Sequence, residues 1–158
     1  MALVAVSFVA MELVSYATHR WVMHGVAIGW HRSHHQPGQG GWERNDLFPL
    51  VFSTVGVLGF ALASYGPAIW PLFWVATGIT LYGVAYAYVH DVFIHERLRL
   101  PVPRLRYFAW LRESHRVHHL FGGEPYGMLF PVVPRDLREA AERRSLRLER
   151  TRPARSWL

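Results

Sequence analysis

The feature that most constrains the fold is an uncharged run over residues 47–89. Its 43 residues include no Asp, Glu, Lys or Arg side chain. A transmembrane helix needs about 20 mostly apolar residues, so a run of this length supplies two. Within it, the segment SYGPAIWP at 64–71 contains one glycine and two prolines, which end one helix and begin the next. The run therefore predicts a membrane hairpin of two helices.

A third apolar stretch covers residues 2–17 and is interrupted only by Glu12. It is short for a span and can be read as a signal peptide, but it has no basic start and no clear small-residue cleavage site. It also continues into YATHRWVMH, which holds two histidines. We therefore predict a retained first span, which extends through the THRWVMH segment or ends before it. The three spans are then about 2–18, 47–64 and 68–89, and the fold class is all-α integral membrane.

The basic residues orient these spans. All 17 are arginine, and each lies in 19–46 or 90–158, whereas the 64–71 turn has none. The positive-inside rule places both arginine-bearing segments in the cytoplasm, with the N-terminus and the turn on the far side. The net charge of +6 could also suggest nucleic acid, but arginines at the ends of apolar runs fit a membrane surface better. We therefore predict a membrane partner and no nucleic-acid partner.

The end of the chain differs in kind from the rest. Residues 134–157 read PRDLREAAERRSLRLERTRPARSW, with eight arginines and four acidic residues. This pattern predicts a charged helix followed by a frayed end, and the helix is either solvated or lies on anionic lipid. We divide the chain into a membrane-embedded domain, 1–135, and a basic cytoplasmic tail, 136–158.

Histidine is the residue type with the most ordered pattern. Each of two pairs has four residues between its members, and each of two triplets is spelled H-R-x-H-H. The pairs are His19 with His24 and His90 with His95; the triplets are His31, His34, His35 and His115, His118, His119. The order is pair, triplet, span, span, pair, triplet, and no histidine is left over. Chance placement at a membrane interface does not explain this repetition.

The spacing of these histidines favours metal binding. Neutral imidazole is the commonest protein ligand for transition metals, and the absence of cysteine excludes thiolate sites. On a helix, positions i and i+4 lie about 40° apart and i and i+3 about 60°, so each triplet can point to one side. The pairs are spaced i, i+5, about 140° apart, and cannot share a face of a regular helix. Either the helix is distorted there, or it ends between the two histidines, or they reach different metals.

The number of histidines predicts two metal ions. A structural zinc takes four ligands and a catalytic zinc about three, so ten imidazoles are too many for one ion. Two ions with about five ligands each keep roughly one octahedral position open, which suits iron that binds dioxygen. All four histidine groups lie at the cytoplasmic ends of the predicted spans, where a lipid-soluble substrate can reach them. We expect one dimetal site in a layer just below the bilayer.

Four acidic residues near the histidines are candidates for supporting the ligands. A metal-bound histidine usually donates its other ring N–H to a carboxylate or a carbonyl. The candidates are Asp46, Asp91, Glu96 and Glu113. The alternative for each is an arginine partner at the membrane surface. We find no Ser-His-Asp arrangement and no phosphate-binding loop.

The residues around the histidines resemble a known family. The three stretches are HRWVMHGVAIGWHRSHHQPGQGGWERNDLF at 19–48, LYGVAYAYVHDVFIHERLRL at 81–100 and RLRYFAWLRESHRVHHL at 104–120. They are similar to the membrane fatty acid hydroxylase superfamily, and within it to the bacterial β-carotene 3-hydroxylases. The resemblance covers about residues 11–120 and weakens over 121–135, where the family usually has a cysteine-containing stretch. That family is often drawn with four spans, so four is the alternative to three.

This resemblance implies a monooxygenase with two irons held by the ten histidines. Its reaction is hydroxylation of carbon 3 of β-ionone rings, which takes β-carotene to β-cryptoxanthin and then to zeaxanthin with dioxygen and two electrons. The electrons come from a ferredoxin-type or other external donor, because the chain has no flavin or nicotinamide motif. The implied location is the bacterial inner membrane, with the metal site facing the cytoplasm. Zinc can replace iron in overproduced protein.

Aromatic residues and glycines near the spans have two readings. The aromatics either line the path of a carotenoid or form an interface belt and pack helices. They are Trp21, Trp30, Trp42, Tyr82, Tyr86 and Tyr88. Gly78 and Gly83 either allow close helix approach or open a groove for a polyene.

Rival functions also follow from the same residues. A carotenoid ketolase, a desaturase, or a fatty acid or sterol hydroxylase would use the same metal site. A membrane zinc hydrolase or metal-binding protein would use the histidines without redox chemistry, and a non-catalytic scaffold would not need them.

Overall fold

The computed structural model describes residues 1–36, 41–98 and 100–151, with side chains to residue 148. Every regular element in these ranges is helical. The first span is α1, Ala2–Ala17, which continues as a first π segment, Thr18–Val26. A short helix α2, Ile28–His31, and a 3-10 turn, Arg32–His35, follow. The hairpin consists of α3, Leu47–Ala63, and α4, Pro71–Ala87, which continues as a second π segment, Tyr88–Ile94. The chain then forms α5, Arg106–Phe121, and α6, Arg135–Thr151.

Three helical stretches are long and apolar enough to cross a membrane. They are Ala2–Val26, Arg44–Ala63 and Pro71–Ile94. Each presents large apolar side chains on its exterior, which is the surface that lipid requires. The prediction of an all-helical membrane protein with three spans is confirmed, and the described ranges contain no fourth. The first span is longer than 2–18 because its helix continues past His19 and His24 to a kink at Gly25.

Helix α4 lies between α1 and α3 and packs against both. The contact with α1 depends on Gly78, because a Cβ at this position would lie 2.0 Å from the Ser7 hydroxyl and 2.5 Å from the Val4 carbonyl. Of the two readings for Gly78, close helix approach is therefore the one that the structure shows.

Glu12 is an internal anchor rather than a defect in the first span. Its side chain is buried, and its carboxylate accepts backbone N–H bonds from Met128, Leu129 and Phe130 at 2.9, 3.1 and 3.0 Å. The Tyr82 hydroxyl donates a further bond of 2.7 Å. A buried carboxylate is tolerated only with such partners. Glu12 thereby fixes the segment after α5 against α1 and α4.

The last two helices lie after the hairpin. Phe108 of α5 packs edge-on against Phe93 of the second π segment, with ring centroids 5.1 Å apart. Helix α6 contacts α5, and its Ala141 is buried. The predicted charged helix is present to Thr151, whereas the predicted frayed end lies at 152–158, outside the described residues. The division into domains 1–135 and 136–158 stays a prediction.

Candidate metal centre

The ten histidines come together from both ends of the sequence into one layer of contacting rings. Their ring nitrogens form two groups in which the atoms lie within 4.8 Å of one another. The first group is His19, His24, His31, His35 and His118; the second is His34, His90, His95 and His115. His119 adjoins the second group, because its Nε2 lies 2.8 Å from Nε2 of His115. The first group therefore has five histidines and the second has four, with His119 beside it.

The π segments explain how each histidine pair reaches one group. In a π-helix, each N–H bonds to the carbonyl five residues back, so positions i and i+5 lie closer to one side of the helix than they do in an α-helix. The bonds from Ala27 N to Val22 O and from His95 N to His90 O have this spacing, at 2.8 and 2.9 Å. Of the three alternatives for the i, i+5 pairs, helix distortion is the one present.

The triplets do not each serve one group. His31 and His35, the first and last members of one triplet, lie in the first group. His115 lies in the second group, and His119 lies beside it. The middle members are exchanged: His34 lies in the second group and His118 in the first. The expectation that a triplet points to one side is therefore wrong in detail. Adjacent helix positions are about 100° apart, so a helix between two groups presents ligands to both.

The nitrogen separations fit ions with right-angled ligands. Six Nε2–Nε2 distances between neighbouring histidines lie between 2.8 and 3.2 Å. Nitrogens about 2.1 Å from an ion are about 3.0 Å apart across an octahedral edge and about 3.4 Å apart in a tetrahedron. Two bare lone pairs this close repel each other, so each pair needs either a shared proton or a cation between its nitrogens. The geometry suits a six-coordinate ion in each group better than a four-coordinate one.

The imidazoles outside the spans are held in the neutral form that binds metal. Burial lowers the pKa of His31 and His35 to about 4 and of His95 and His118 to about 3. For His119, burial and the neighbouring His35 lower the pKa to about 2. Burial, with nearby imidazoles, also holds the pKa of His34 and His115 well below the usual range. At pH 7 these rings are free to ligate without first losing a proton.

Four ring Nδ1 atoms have an oxygen partner at hydrogen-bonding distance. His31 Nδ1 lies 2.7 Å from Asn45 Oδ1, and His90 Nδ1 lies 3.1 Å from Asp91 Oδ1. The other two partners are backbone carbonyls: Tyr126 O for His19 at 3.0 Å and Gly123 O for His118 at 2.6 Å. A carbonyl oxygen only accepts, so Nδ1 donates and Nε2 is left for the metal.

The predicted acidic supports are only partly in contact with histidines. Asp91 touches His90, and it is the one candidate of the four that does. Asp46 is paired with Arg97 at 2.7 Å, Glu96 with Arg112 at 3.1 Å and Glu113 with Arg116 at 2.6 Å. These three carboxylates have arginine partners, which was the alternative expected from the sequence. A charged guanidinium forms a stronger bond with a carboxylate than a neutral imidazole does.

Sequence reasoning missed the supports that are not acids. They are the Asn45 amide and the carbonyls of Gly123 and Tyr126. Gly122 supplies the one local signal: it ends α5 with φ of 66°, a left-handed conformation that favours glycine. The chain turns back there and places Gly123 O against His118. Glu43 was also missed, and its Oε2 lies 3.4 Å from His34 Nδ1.

Arg97 connects the supports of both groups. Its guanidinium forms a two-pronged pair with Asp46, with both distances 2.7 Å, and also bonds Asp91 at 3.1 Å. A fourth bond of 2.9 Å goes to the carbonyl of Gly41. Arg97 thus ties the residue that contacts His90 to the 41–46 segment, which carries Asn45 and Glu43.

An apolar cavity of about 430 Å³ extends from the spans to the histidines. Its walls come from α1, α3 and α4 and include Phe48, Phe52 and Phe60, and its inner end includes His90 and Asp91. Tyr82 and Tyr86 line this cavity as predicted for a substrate path, and so does Gly83. Trp21 and Trp30 do not line it; Trp21 is 64% exposed on the outer surface. These two, with Trp42 and Tyr88, fit the alternative of interface and packing residues.

Three spans and two histidine groups able to hold metal ions define a histidine-rich membrane protein with an apolar cavity at its metal centre. The family model described as "Fatty acid hydroxylase" matches residues 4–136, and the chain belongs to this family.

Among curated relatives, the chain is 39% identical over 140 residues to the "Beta-carotene hydroxylase" of Pseudescherichia vulneris, covering 85% of this chain and 78% of that one. It is 37% identical over 134 residues to the enzyme of the same name from Paracoccus sp. strain PC1, with coverage of 83% and 81%. The figure for the Pantoea ananas enzyme is 40% over 123 residues, with coverage of 77% and 69%. No solved structure gave a significant match. These relatives establish the chain as a hydroxylase of the membrane-bound, histidine-rich kind.

Proposed function

We propose that this hydroxylase inserts oxygen at carbon 3 of the β-ionone rings of carotenoids, taking β-carotene to β-cryptoxanthin and then to zeaxanthin. One C–H bond becomes C–OH, the second oxygen atom leaves as water, and two electrons and two protons are consumed. The observation that carries the proposal is the apolar cavity that runs between the spans and ends at His90. The names of the relatives supply the substrate class.

Two iron ions are the metals that we propose for the histidine groups. About five imidazoles per ion leave about one octahedral position, which a redox-active ion can use for dioxygen. Bound iron would supply the oxidising power for an unactivated C–H bond. Zinc would favour four ligands and would leave histidines unused.

The protein's own contribution is binding, orientation and exclusion of water. The phenylalanines of α3 and the aromatic faces of Tyr82 and Tyr86 provide an apolar wall for the ring. The Nδ1–H donors of His19, His31 and His118 are held by oxygens, which fixes the direction of each Nε2. The bound ring is thereby presented to a preformed ligand layer in a dry site.

The electron donor and the location complete the proposal. The chain has no flavin or nicotinamide motif, so the electrons come from outside, and a ferredoxin-type protein is the donor we favour. The arginines flanking the histidine layer support both a cytoplasmic orientation in a bacterial inner membrane and docking of an acidic partner.

A carotene-accumulating host tests this function directly. Wild-type chain should convert β-carotene to hydroxylated pigments, and the purified protein should hold about two irons, as the ten ligands require. His118→Ala should abolish conversion, whereas Arg143→Ala on α6 should retain it. Pigments are identified by chromatography and mass spectrometry. Keto-carotenoids or modified fatty acids would indicate a related oxygenase instead. Unchanged β-carotene, despite inserted protein and a supplied reductase, would refute the proposal.

A further inference from the structure

Gly83 lies in the cavity wall for a reason other than helix packing. A Cβ built on Gly83 would meet no atom within 4 Å, whereas one on Gly78 would meet α1 at 2.0 Å. Its backbone is α-helical, so no turn requires glycine there. Glycine inside a helix costs about 0.5–1 kcal/mol relative to alanine. Gly83 is exposed where the cavity wall reaches the outer surface, so the missing side chain leaves open space at this part of the wall.

The position of this gap along α4 is informative. Ile79, Gly83, Tyr86 and His90 all line the cavity and recur at helical spacing, so one face of α4 forms this wall. Gly83 precedes His90 by seven residues, which is about 10 Å along a helix axis. The gap is therefore about two turns from the histidines, beyond Tyr86. A six-membered ring placed at His90 would end before this level, and only its substituent chain would reach it.

The cavity opens towards lipid near the same level. Its walls include Val57 of α3 and Val84 of α4, both of which are 64% exposed on the membrane-facing surface. A long apolar molecule can therefore lie with one end at His90 and continue past Gly83 to the outside. This arrangement suits a substrate longer than the cavity itself.

We propose that Gly83 is a specificity-determining residue: the gap beside it accepts the narrow conjugated chain of a carotenoid while one β-ionone ring lies at His90. This assignment rests on the proposed function. A flat polyene passes a gap that lacks a side chain, and a branched side chain at position 83 closes it. The turnover of a substrate whose chain ends before Gly83 should not depend on the side chain at position 83.

The test compares a long and a short substrate in the purified, iron-loaded enzyme. Gly83→Leu should lower β-carotene turnover about 10-fold or more, with β-ionone turnover nearly unchanged. Leu81→Phe is the matched control, because Leu81 is on the same helix, outside the cavity wall and exposed; it should change neither. Unchanged β-carotene turnover in Gly83→Leu, or an equal loss of both substrates with iron content retained, would overturn the assignment.

A binding measurement separates this assignment from the proposed reaction. β-Carotene bound in a chiral cavity shows induced circular dichroism in its visible band, and this signal needs no turnover. Wild type that binds β-carotene without hydroxylating it, together with loss of the signal in Gly83→Leu, would leave the Gly83 assignment standing and refute the reaction. Equal signals from both proteins would refute the assignment whatever the activity. Absence of binding to the wild type would refute both.

Discussion

At the scale of single residues, the two histidine groups differ in what holds their rings. In the first group, three Nδ1 atoms lie against neutral oxygens, those of Asn45, Gly123 and Tyr126. In the second, His90 faces the Asp91 carboxylate and His34 lies near Glu43. A carboxylate partner raises the basicity of an imidazole ligand more than an amide or a carbonyl does. The second group, which also borders the cavity through His90, should therefore bind its ion with the more electron-rich ligands.

Arg97→Lys tests this residue-level arrangement. Lysine cannot reproduce the two-pronged bond to Asp46 while also holding Asp91, so the support of His90 loosens. Loss of such a support typically costs 10–100-fold in metal affinity, and the second group should lose its ion first. The measurement is iron retained per chain against increasing chelator.

The control for Arg97→Lys is Arg143→Lys, at an exposed pair with Glu139 on α6. The control should resist the chelator like the wild type. If Arg97→Lys resists it equally well, Arg97 has no role in holding the ligands.

At the scale of elements, the two π segments bring histidines spaced i, i+5 together at the candidate metal centre. Each lies at the end of a span: the first holds His19 and His24, and the second holds His90 and is followed directly by His95. The i, i+5 spacing of each pair suits a π turn and no α turn. Hydropathy predicted the spans because membrane crossing depends on length and apolarity alone. The π geometry was not predictable from a 3.6-residue period, because the i, i+5 spacing is equally compatible with a helix end between the histidines or with two separate metals.

Deleting Trp21 should destroy the metal centre, although the Trp21 side chain contacts none of the histidine ligands. The deletion shifts His19 and all of α1 by one position relative to His24, which rotates them by about 100° on a helix. His19 then leaves the first group, and Glu12 turns away from residues 128–130. The expected result is loss of bound iron, measured by metal analysis of the purified protein.

Trp21→Ala is the matched control for this deletion. It removes the same exposed side chain without changing the register, so iron content and turnover should remain. Iron retained in the deletion variant would show that the π segment does not set the ligand geometry.

At the scale of the whole molecule, long-range contacts determine features of the site that no local sequence pattern predicts. The ten histidines were recognisable by their order, but their exchange between groups depends on how α5 packs on the second π segment. The carbonyl supports of His19 and His118 come from residues 123–126, and the His19 bond joins positions 107 residues apart. No local pattern encodes such a partner, because any residue supplies a carbonyl. Glu12 is similar: it looked like an interruption in a span until its partners at 128–130 were in place.

The predicted boundary at 135/136 has a consequence for the molecule as a whole. Helix α6 contacts α5, but among the described residues it contributes none to the histidine groups or to the cavity wall. Removing 136–158 should therefore leave about two irons and normal turnover with a small-molecule reductant. The melting temperature should fall modestly, because the truncation exposes the surface that Ala141 covers.

Turnover with an acidic protein donor should fall further and lose its salt dependence if the tail's arginines steer docking. A shorter truncation that removes only 152–158 serves as the control and should retain most of α6. Loss of iron in the longer truncation alone would mean that α6 belongs to the membrane-embedded domain and that the boundary is wrong.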